Sequence, residues 1–410
     1  MKNIKITIGI FLLLISFMVP AQEDLNRYLQ TAAENNPGLK VKFNEYMAAL
    51  EIAPQVKALP DPVVAFGYFI SPVETRNGPM QFKVAASQMF PWIGTLKAKE
   101  NAANQAAKVK FEVFEEAKSK LFNEIKVTYF NTYFNRKAID ITLENIEILN
   151  SFRKLANIKF EAGLVSAVDE YRLEIEIGEL ENQLASLKDK QLVLELMFNN
   201  LLNTEKNEEV ITPELLWTND FPLRKQAAMD SINQSNHQLL SLDMQQLALQ
   251  YKQEVASNMG KPSFNIGLDY TIIGKGENNL SGTDAFVFPI VGISIPLYRN
   301  KYKAMVQEVV YQIAANENKK VDKSNMLETL FENSWKDYLD ANRRISLYIS
   351  QLNLAQKSVR LLETDYATGN KNFEEILRME RKVLKFNLEL EKARADKQAA
   401  IAFITYLMGK

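Results

Sequence analysis

The sequence of 410 residues contains no cysteine and a single histidine, His237. Without cysteine there is no disulfide framework, thiolate zinc site, iron–sulfur cluster, cysteine nucleophile or lipid anchor on an amino-terminal cysteine. One histidine cannot build a multi-histidine metal site, and it leaves few routes to histidine-based acid–base catalysis. We therefore expect a protein that is not an enzyme and that binds no metal or other cofactor.

Glycine and proline are also scarce. The chain has 15 glycines and 13 prolines, about 7% of its residues against a usual share of roughly 12%. Residues 96–162 and 299–368 contain neither. At 1.5 Å per residue, about 67 helical residues extend over roughly 100 Å, far beyond the length of a globular helix. The two segments predict long, coiled-coil-like helices.

Neither sign of charge is in excess, with 49 basic and 50 acidic residues. The sequence has no basic footprint or polybasic run of the kind that binds nucleic acid or an anionic membrane surface. We also find no glycine-rich loop that would hold a nucleotide. Nucleic acid is therefore not an expected partner.

The longest apolar run lies at the amino terminus. Lys2 and Lys5 precede the apolar segment Ile6–Val19, and Val19-Pro20-Ala21 supplies small residues for cleavage. This pattern predicts a cleaved signal peptide at residues 1–21. The run is about 14 residues long, shorter than the roughly 20 that a spanning helix needs, although an uncleaved anchor is the alternative. We expect the mature protein to act outside the cytoplasm.

The remainder of the chain is an internal duplication. The offset between the two copies grows from 200 to 206 residues, which short insertions in loops explain. A duplication sets the architecture and therefore takes precedence over local patterns. The matched segments are Asn36–Leu39 with Asn236–Leu239, Pro62 and Gly67 with Pro262 and Gly267, and Phe160–Gly163 with Tyr366–Gly369.

Each copy has the same predicted order: a modest helix, two strands, a very long helix, a glycine turn and a second helix. We predict a signal peptide at 1–21, a first repeat at 22–203, an inter-repeat segment at 204–235 and a second repeat at 236–410. The inter-repeat segment is expected to be strand-rich or irregular. The predicted fold is mainly α with a small β part.

The helix after each glycine turn carries apolar residues at alternating steps of three and four, the pattern of a helix packed along a neighbour. One polar residue interrupts each seam, Gln191 in the first copy and Lys397 in the second. Either these two side chains reach solvent or they make a polar contact that sets the register. The seams are Leu173, Ile177, Leu180, Leu184, Leu187, Gln191, Leu194, Phe198 and Leu201, and Met379, Val383, Phe386, Leu390, Ala393, Lys397, Ala400, Ile404 and Leu407.

Four segments are predicted strands, at about Val63–Ile70, Met80–Met89, Phe264–Ile273 and Phe286–Pro296. Apolar and polar or small residues alternate along them, and aromatic residues lie near their ends. This pattern is typical of transmembrane barrel strands, although half-buried strands of soluble sheets also show it. Four strands are too few to close a barrel, so insertion in a membrane requires several copies of the chain.

With these features together, the chain resembles the TolC family of outer-membrane efflux proteins along its mature length. The segment from Phe160 to Asp169 is similar to the family's turn motif: an aromatic residue, two residues, glycine, then an acid six residues later. The segment from Tyr366 to Glu375 is the second copy. Each follows an unbroken helix and precedes a seam helix.

The resemblance implies a homotrimer in which three protomers contribute four strands each to a 12-stranded barrel in the lipid of the outer membrane. Their helices would continue as a periplasmic tunnel, and the inter-repeat segment would lie in an equatorial belt. The glycine turns would contact a periplasmic adaptor, the membrane fusion protein, which is coupled to an inner-membrane pump. The implied function is a passive exit duct for efflux or secretion.

The resemblance also implies roles for residues at the turns. Gly163 and Ser166 in the first turn, with Gly369 and Asn372 in the second, are the predicted adaptor contacts. Asp169, Tyr366, Lys371 and Glu375 match the family's periplasmic gate. Arg172 and Arg378 stand where further acids would be expected, and they are placed to pair with Asp169 and Glu375 instead.

Two other classes of protein are alternatives. A periplasmic adaptor would carry one helical hairpin between β-rich domains, whereas here paired strands precede both hairpins. A soluble helical scaffold would have no use for alternating strands with aromatic ends.

Overall fold

The computed structural model describes residues 20–206, 208–217, 219–276, 284–367 and 373–410. Of the predicted signal peptide, residues 1–19 lie outside the described residues, and its cleavage stays a prediction.

The described chain is mainly helical with one small antiparallel sheet, as the sequence predicts. The elements in chain order are α1 (Pro20–Asn35), α2 (Pro37–Leu50), α3 (Ile52–Lys57), β1 (Val63–Tyr68), β2 (Glu74–Thr75), β3 (Gly78–Phe90), α4 (Thr95–Glu161), α5 (Val168–Leu202), α6 (Lys225–Ser235), α7 (His237–Met259), β4 (Ser263–Ile273), β5 (Ala285–Ser294), α8 (Arg299–Ala367) and α9 (Phe373–Leu407).

The two long helices are confirmed. Helix α4 has 67 residues and α8 has 69, because neither segment contains the glycine or proline that would interrupt its hydrogen bonds. Gly94, at a φ of 88°, directly precedes α4. Among the described residues, no helix is both long enough and apolar enough to cross a membrane.

The chain forms two compact units. Of the described residues, one unit contains those up to Val41 together with those of Glu115–Asn236 and Asn325–Lys410, and the other contains those of Lys42–Phe114 and His237–Ser324. Each unit takes segments from both predicted repeats. The repeat boundaries at 22–203, 204–235 and 236–410 remain a prediction.

In the first unit, the predicted seams are the packing faces of α5 and α9. Leu173, Ile177 and Phe198 of α5 are buried, as are Leu390 and Ile404 of α9. Burying a side chain of this size stabilises the fold by roughly 1.5–3 kcal/mol. The alternation of threes and fours therefore identified the buried faces correctly.

The polar interruptions of the seams make contacts within the protein. Lys397 is almost fully buried, and its Nζ lies 2.7 Å from Oδ1 of Asp220. Gln191 is half-buried, accepts a hydrogen bond from Asn135 and donates one to Glu195. Of the two interpretations, the polar contact is the one the structure supports.

The described residues of the inter-repeat segment before α6 form no helix or strand, and the 11 residues of α6 itself were not predicted as a helix. Trp217 anchors the irregular part on α9. Its Nε1 donates to Oε1 of Gln398 at 3.0 Å, and Nε2 of Gln398 donates back to the Trp217 carbonyl at 2.9 Å. This reciprocal pair satisfies polar groups on both sides of the contact.

The second unit contains the sheet, in the order β1-β3-β4-β5 with every pairing antiparallel. The four predicted strands are confirmed. The two-residue strand β2, which pairs with the start of β3, is too short to show a pattern in the sequence. The single histidine, His237, is the first residue of α7 in this unit, with Nδ1 2.8 Å from Oε2 of Glu112.

The two faces of the sheet differ in chemistry. Phe82 and Val84 of β3 lie opposite Ile272 and Tyr270 of β4, and Phe66 of edge strand β1, 71% exposed, continues this apolar face opposite Val84. Side chains at the intervening positions belong to the other face. From the central strands that face, called the polar face below, carries Lys83, Ala85, Ser87, Met89, Asn265, Gly267, Asp269 and Thr271.

Candidate functional site at the glycine turns

The first glycine turn links α4 to α5. Gly163 has a φ of 72°, its N–H donates to the Phe160 carbonyl, and the Leu164 N–H donates to the Lys159 carbonyl, both at 2.9 Å. These two bonds form a Schellman motif with Gly163 at its left-handed position. A β-carbon at Gly163 would meet no atom within 4 Å. Glycine is therefore favoured there by backbone conformation alone, as the sequence predicts.

Ser166 and Asp169 define the start of α5. The hydroxyl of Ser166 accepts a hydrogen bond from the Val168 N–H at 3.3 Å, and the Ser166 carbonyl accepts one from the Asp169 N–H at 3.3 Å. Asp169 lies in the first turn of the helix, where a carboxylate interacts favourably with the helix dipole. The Ser166 side chain is exposed.

The arginines pair with the turn acids. Arg172 lies 3.6 Å from Asp169 and also 3.3 Å from Glu374 at the start of α9. Arg378 forms an ion pair with Glu375. The carboxylate of Asp169 is largely buried, and this burial raises its pKa, against the opposing effect of Arg172. The acids expected at the gate are therefore partly neutralised within one chain.

The second glycine turn is only partly within the described residues. Gly369, Lys371 and Asn372 lie outside them, so their predicted roles have no structural description. Tyr366 is in the last turn of α8, and Glu375 is in the first turn of α9.

Tyr366 is buried against both turns. Its ring centroid lies 5.1 Å from that of Phe373, and the Lys159 Nζ lies 3.7 Å from the Tyr366 ring centroid. The same ammonium donates to the Tyr366 carbonyl. The phenolic oxygen is buried without a hydrogen-bond partner in the described structure. Burial, assisted by the charge of Asp169, raises the pKa of the phenol.

Lys159 is a site residue that sequence reasoning missed. It occupies the last turn of α4, where a basic side chain suits the carboxyl end of a helix. That position alone would not have indicated its cation–π contact, because the ring belongs to a residue 207 positions away.

A buried cluster from four helices, the turn cluster, brings the two turns together. In contrast, Phe160, Leu164 and Val168 around the first turn are exposed apolar side chains. The buried turn cluster therefore supports the turns, whose outer surface exposes both apolar and polar side chains. The turn cluster comprises Leu149, Phe152, Ala156, Leu173, Ile177, Leu180, Tyr366, Phe373, Ile376 and Leu377.

No protein-family model matches the sequence, and no curated protein is significantly similar to it. Solved structures are similar in fold. The outer-membrane channel OprN has 15% identity and a TM-score of 0.80, and the match covers 94% of this chain and 90% of that one.

Two further structures agree. The outer membrane protein VceC of Vibrio cholerae has 14% identity and a TM-score of 0.78, over 94% of this chain and 97% of that one. The open state of the MtrE outer membrane channel of Neisseria gonorrhoeae has 13% identity and a TM-score of 0.75, over 94% and 88%. The predicted resemblance is confirmed in its architecture: this chain has the TolC-like fold of outer-membrane channels.

Proposed function

We propose that the protein is an outer-membrane channel, the passive exit duct of a tripartite efflux or secretion system. The observation that carries this proposal is the sheet of β1, β3, β4 and β5, which has an exposed apolar face and two edge strands. A large exposed apolar surface needs lipid or another protein to cover it. The likeness to outer-membrane channels over 94% of the chain supports lipid.

Barrel closure accounts for the two edges. In lipid an unpaired strand edge leaves backbone groups without hydrogen bonds, at a cost of several kcal/mol for each group. Strands β1 and β5 of neighbouring protomers would pair with each other, and three protomers would form a 12-stranded barrel. The homotrimer would continue into a periplasmic tunnel built from the long helices.

In this proposal, the glycine turns contact the periplasmic adaptor. Gly163 and Ser166 would present the first turn, and Gly369 and Asn372 the second. Exposed Leu164 supports an apolar contribution to that contact. The adaptor would link the channel to an inner-membrane pump, which would supply the energy and select the substrate.

We assign the periplasmic gate to Asp169, Tyr366, Lys371 and Glu375. Opening would separate the turns in a two-state change, and substrates would then diffuse through a water-filled lumen. The ion pairs of Asp169 and Glu375 with arginines of their own helices support a gate that also relies on apolar contacts of the turn cluster.

Cell fractionation and bilayer recordings test the proposal. We expect the mature protein, without residues 1–21, in the outer-membrane fraction as a trimer that forms discrete conductance steps in planar bilayers. Recovery in the soluble periplasm after osmotic release would contradict the channel assignment. Copurification from that membrane would identify the adaptor and the pump.

A further inference from the structure

The sheet carries one ion pair on its polar face. Nζ of Lys83 in β3 lies 2.7 Å from Oδ2 of Asp269 in β4. Lys83 is directly opposite Thr271, and Asp269 is opposite Ala85, so the pair is diagonal across two neighbouring strands. Diagonal neighbours on one face are within reach of long side chains such as lysine.

Lys83 and Asp269 are the only charged residues in β1, β3, β4 and β5, four strands whose residues are all described. Their neighbours across the edge strands are uncharged, with Gly67 opposite Lys83 and Val287 opposite Asp269. Within these four strands, the positive charge of Lys83 is therefore balanced by the negative charge of Asp269 alone.

The pair is accessible to water. The Lys83 side chain is 41% exposed and that of Asp269 is 24% exposed. Gly67 has no side chain to cover Lys83 from the β1 side. A charge facing lipid is destabilising in a transmembrane strand, whereas lumen positions tolerate it and tune selectivity. The apolar face with Phe66, Val84 and Tyr270 is the face suited to lipid.

We infer that Lys83 and Asp269 line the lumen of the barrel and keep this section of the pore electrically neutral, so that the intact pair favours neither cations nor anions there. This inference rests on the proposed function. In a trimer, three pairs would form a ring. Loss of either partner would convert the ring into three fixed charges of one sign, which attract counter-ions and repel co-ions.

Reversal potentials across a potassium chloride gradient in planar bilayers test this inference. The dilute side should be kept near or below about 0.1 M, where the screening length is about 10 Å or more. We expect Asp269→Asn to raise the chloride-to-potassium permeability ratio about twofold or more, and Lys83→Gln to lower it by a similar factor. The double variant Lys83→Gln/Asp269→Asn should return to the wild-type ratio.

Two charge-conserving variants, Lys83→Arg and Asp269→Glu, are matched controls and should leave the ratio unchanged. If one single variant does not assemble, the other single variant and the double variant still decide the question. Unchanged ratios in channels of normal conductance would overturn the lumen assignment while leaving the channel itself intact. Failure of the wild-type trimer to conduct would instead contradict the proposed function.

Discussion

Nζ of Lys397, on a side chain only 5% exposed, lies 2.7 Å from Oδ1 of Asp220, whose side chain is 76% exposed. The lysine comes from helix α9 and the aspartate from the irregular inter-repeat segment. The hydrogen bond and the charge of Lys397 lower the pKa of the Asp220 carboxyl. The contact therefore joins the irregular segment to α9 at Lys397, the one polar position of an otherwise apolar seam.

Replacing the surface partner of this pair should destabilise the first unit. Asp220→Ala removes a charged acceptor from a buried ammonium, and we expect a loss on the order of 1–3 kcal/mol in the free energy of unfolding. The exposed pair Lys336–Asp337 provides a matched control, because Asp337→Ala should cost about 1 kcal/mol or less. Denaturation monitored by circular dichroism would measure both, and equal losses would contradict the role of Lys397 burial.

The lowered pKa of Asp220 gives the same contact a pH dependence. A depressed carboxyl pKa contributes stability above its unfolded value, near 4, and that stability is lost as pH falls through the folded value. The free energy of unfolding of the wild type should therefore exceed that of Asp220→Asn at neutral pH, and this difference should disappear in acid. A difference in the free energy of unfolding that persists at the lowest pH measured would contradict a contribution from the ion pair.

Two glycines of the same hairpin should respond oppositely to alanine. Gly163→Ala places a β-carbon on left-handed backbone with open space around it, so the expected cost of about 1–2 kcal/mol comes from conformation alone. Gly178 is exposed within α5, and Gly178→Ala should stabilise the helix by up to about 1 kcal/mol. Thermal melting of both variants would check the signs.

Gly163 and Gly178 should also differ in their effect on binding of the proposed adaptor. Under the proposed function, Gly163→Val should weaken crosslinking of the protein to the proposed adaptor, since the turn would lose its shape. Gly178→Ala should leave crosslinking unchanged. Normal crosslinking of Gly163→Val would remove the first turn from the adaptor contact.

Glu380 of α9 is a buried carboxyl near the turn cluster. Burial, with a smaller effect from the charge of Glu363, raises its pKa to about 7. Between the ordinary value of 4.5 and 7, the folded chain keeps a proton that the unfolded chain releases, so stability falls as pH rises through this window. The full penalty, present above pH 7, is on the order of 3 kcal/mol.

The variant Glu380→Gln should abolish this dependence. We expect its Tm to exceed that of wild type at pH 8 and the difference to shrink towards pH 5. Glu363→Gln is the matched control, because Glu363 has the smaller influence and its removal should lower the pKa of Glu380 only partly. A difference between wild type and Glu380→Gln that is constant with pH would contradict the buried acid.

Two substitutions at Tyr366 should distinguish the contribution of its ring to stability from that of its hydroxyl. Tyr366→Phe leaves the ring that packs on Phe373 and under Lys159, and it removes a buried oxygen without a partner in the described structure. Its stability and conductance should match wild type. Tyr366→Ala should cost about 3–5 kcal/mol through the cavity that it creates.

The gate assignment makes a separate prediction for conductance. Tyr366→Ala combined with Glu375→Ala loosens the turn cluster and releases Arg378, and single-channel conductance in planar bilayers should rise. Tyr366→Phe alone should not change it. Unchanged conductance in the double variant would reject both residues as gate elements.

Sequence patterns predicted helices α2, α4, α5, α7, α8 and α9, the four strands and the buried seams, because each of these patterns extends over many turns or strand positions. Gly163 was identifiable since a left-handed helix end favours glycine. The contacts of Lys159 with Tyr366 and of Lys397 with Asp220 were not predictable in the same way. Each joins residues more than 170 positions apart, and no local pattern records which distant side chain a lysine will meet.

Helix α1, which begins within the predicted signal peptide, was not predicted either, and helix α6 and strand β2 were missed for a different reason. Strand β2 has two residues, too few for any alternation. Helix α6 has 11 residues and lies in a segment whose prolines and Trp217 favoured irregular structure.

The open edges of β1 and β5 also affect how the proposed trimer would assemble in the cell. In the proposed channel, a protomer that has not yet assembled carries two open strand edges, and such edges can pair with other chains and aggregate. Formation of a closed ring from three chains depends steeply on local abundance. We therefore expect that the cell delivers these chains in close succession, or escorts each one until two others arrive.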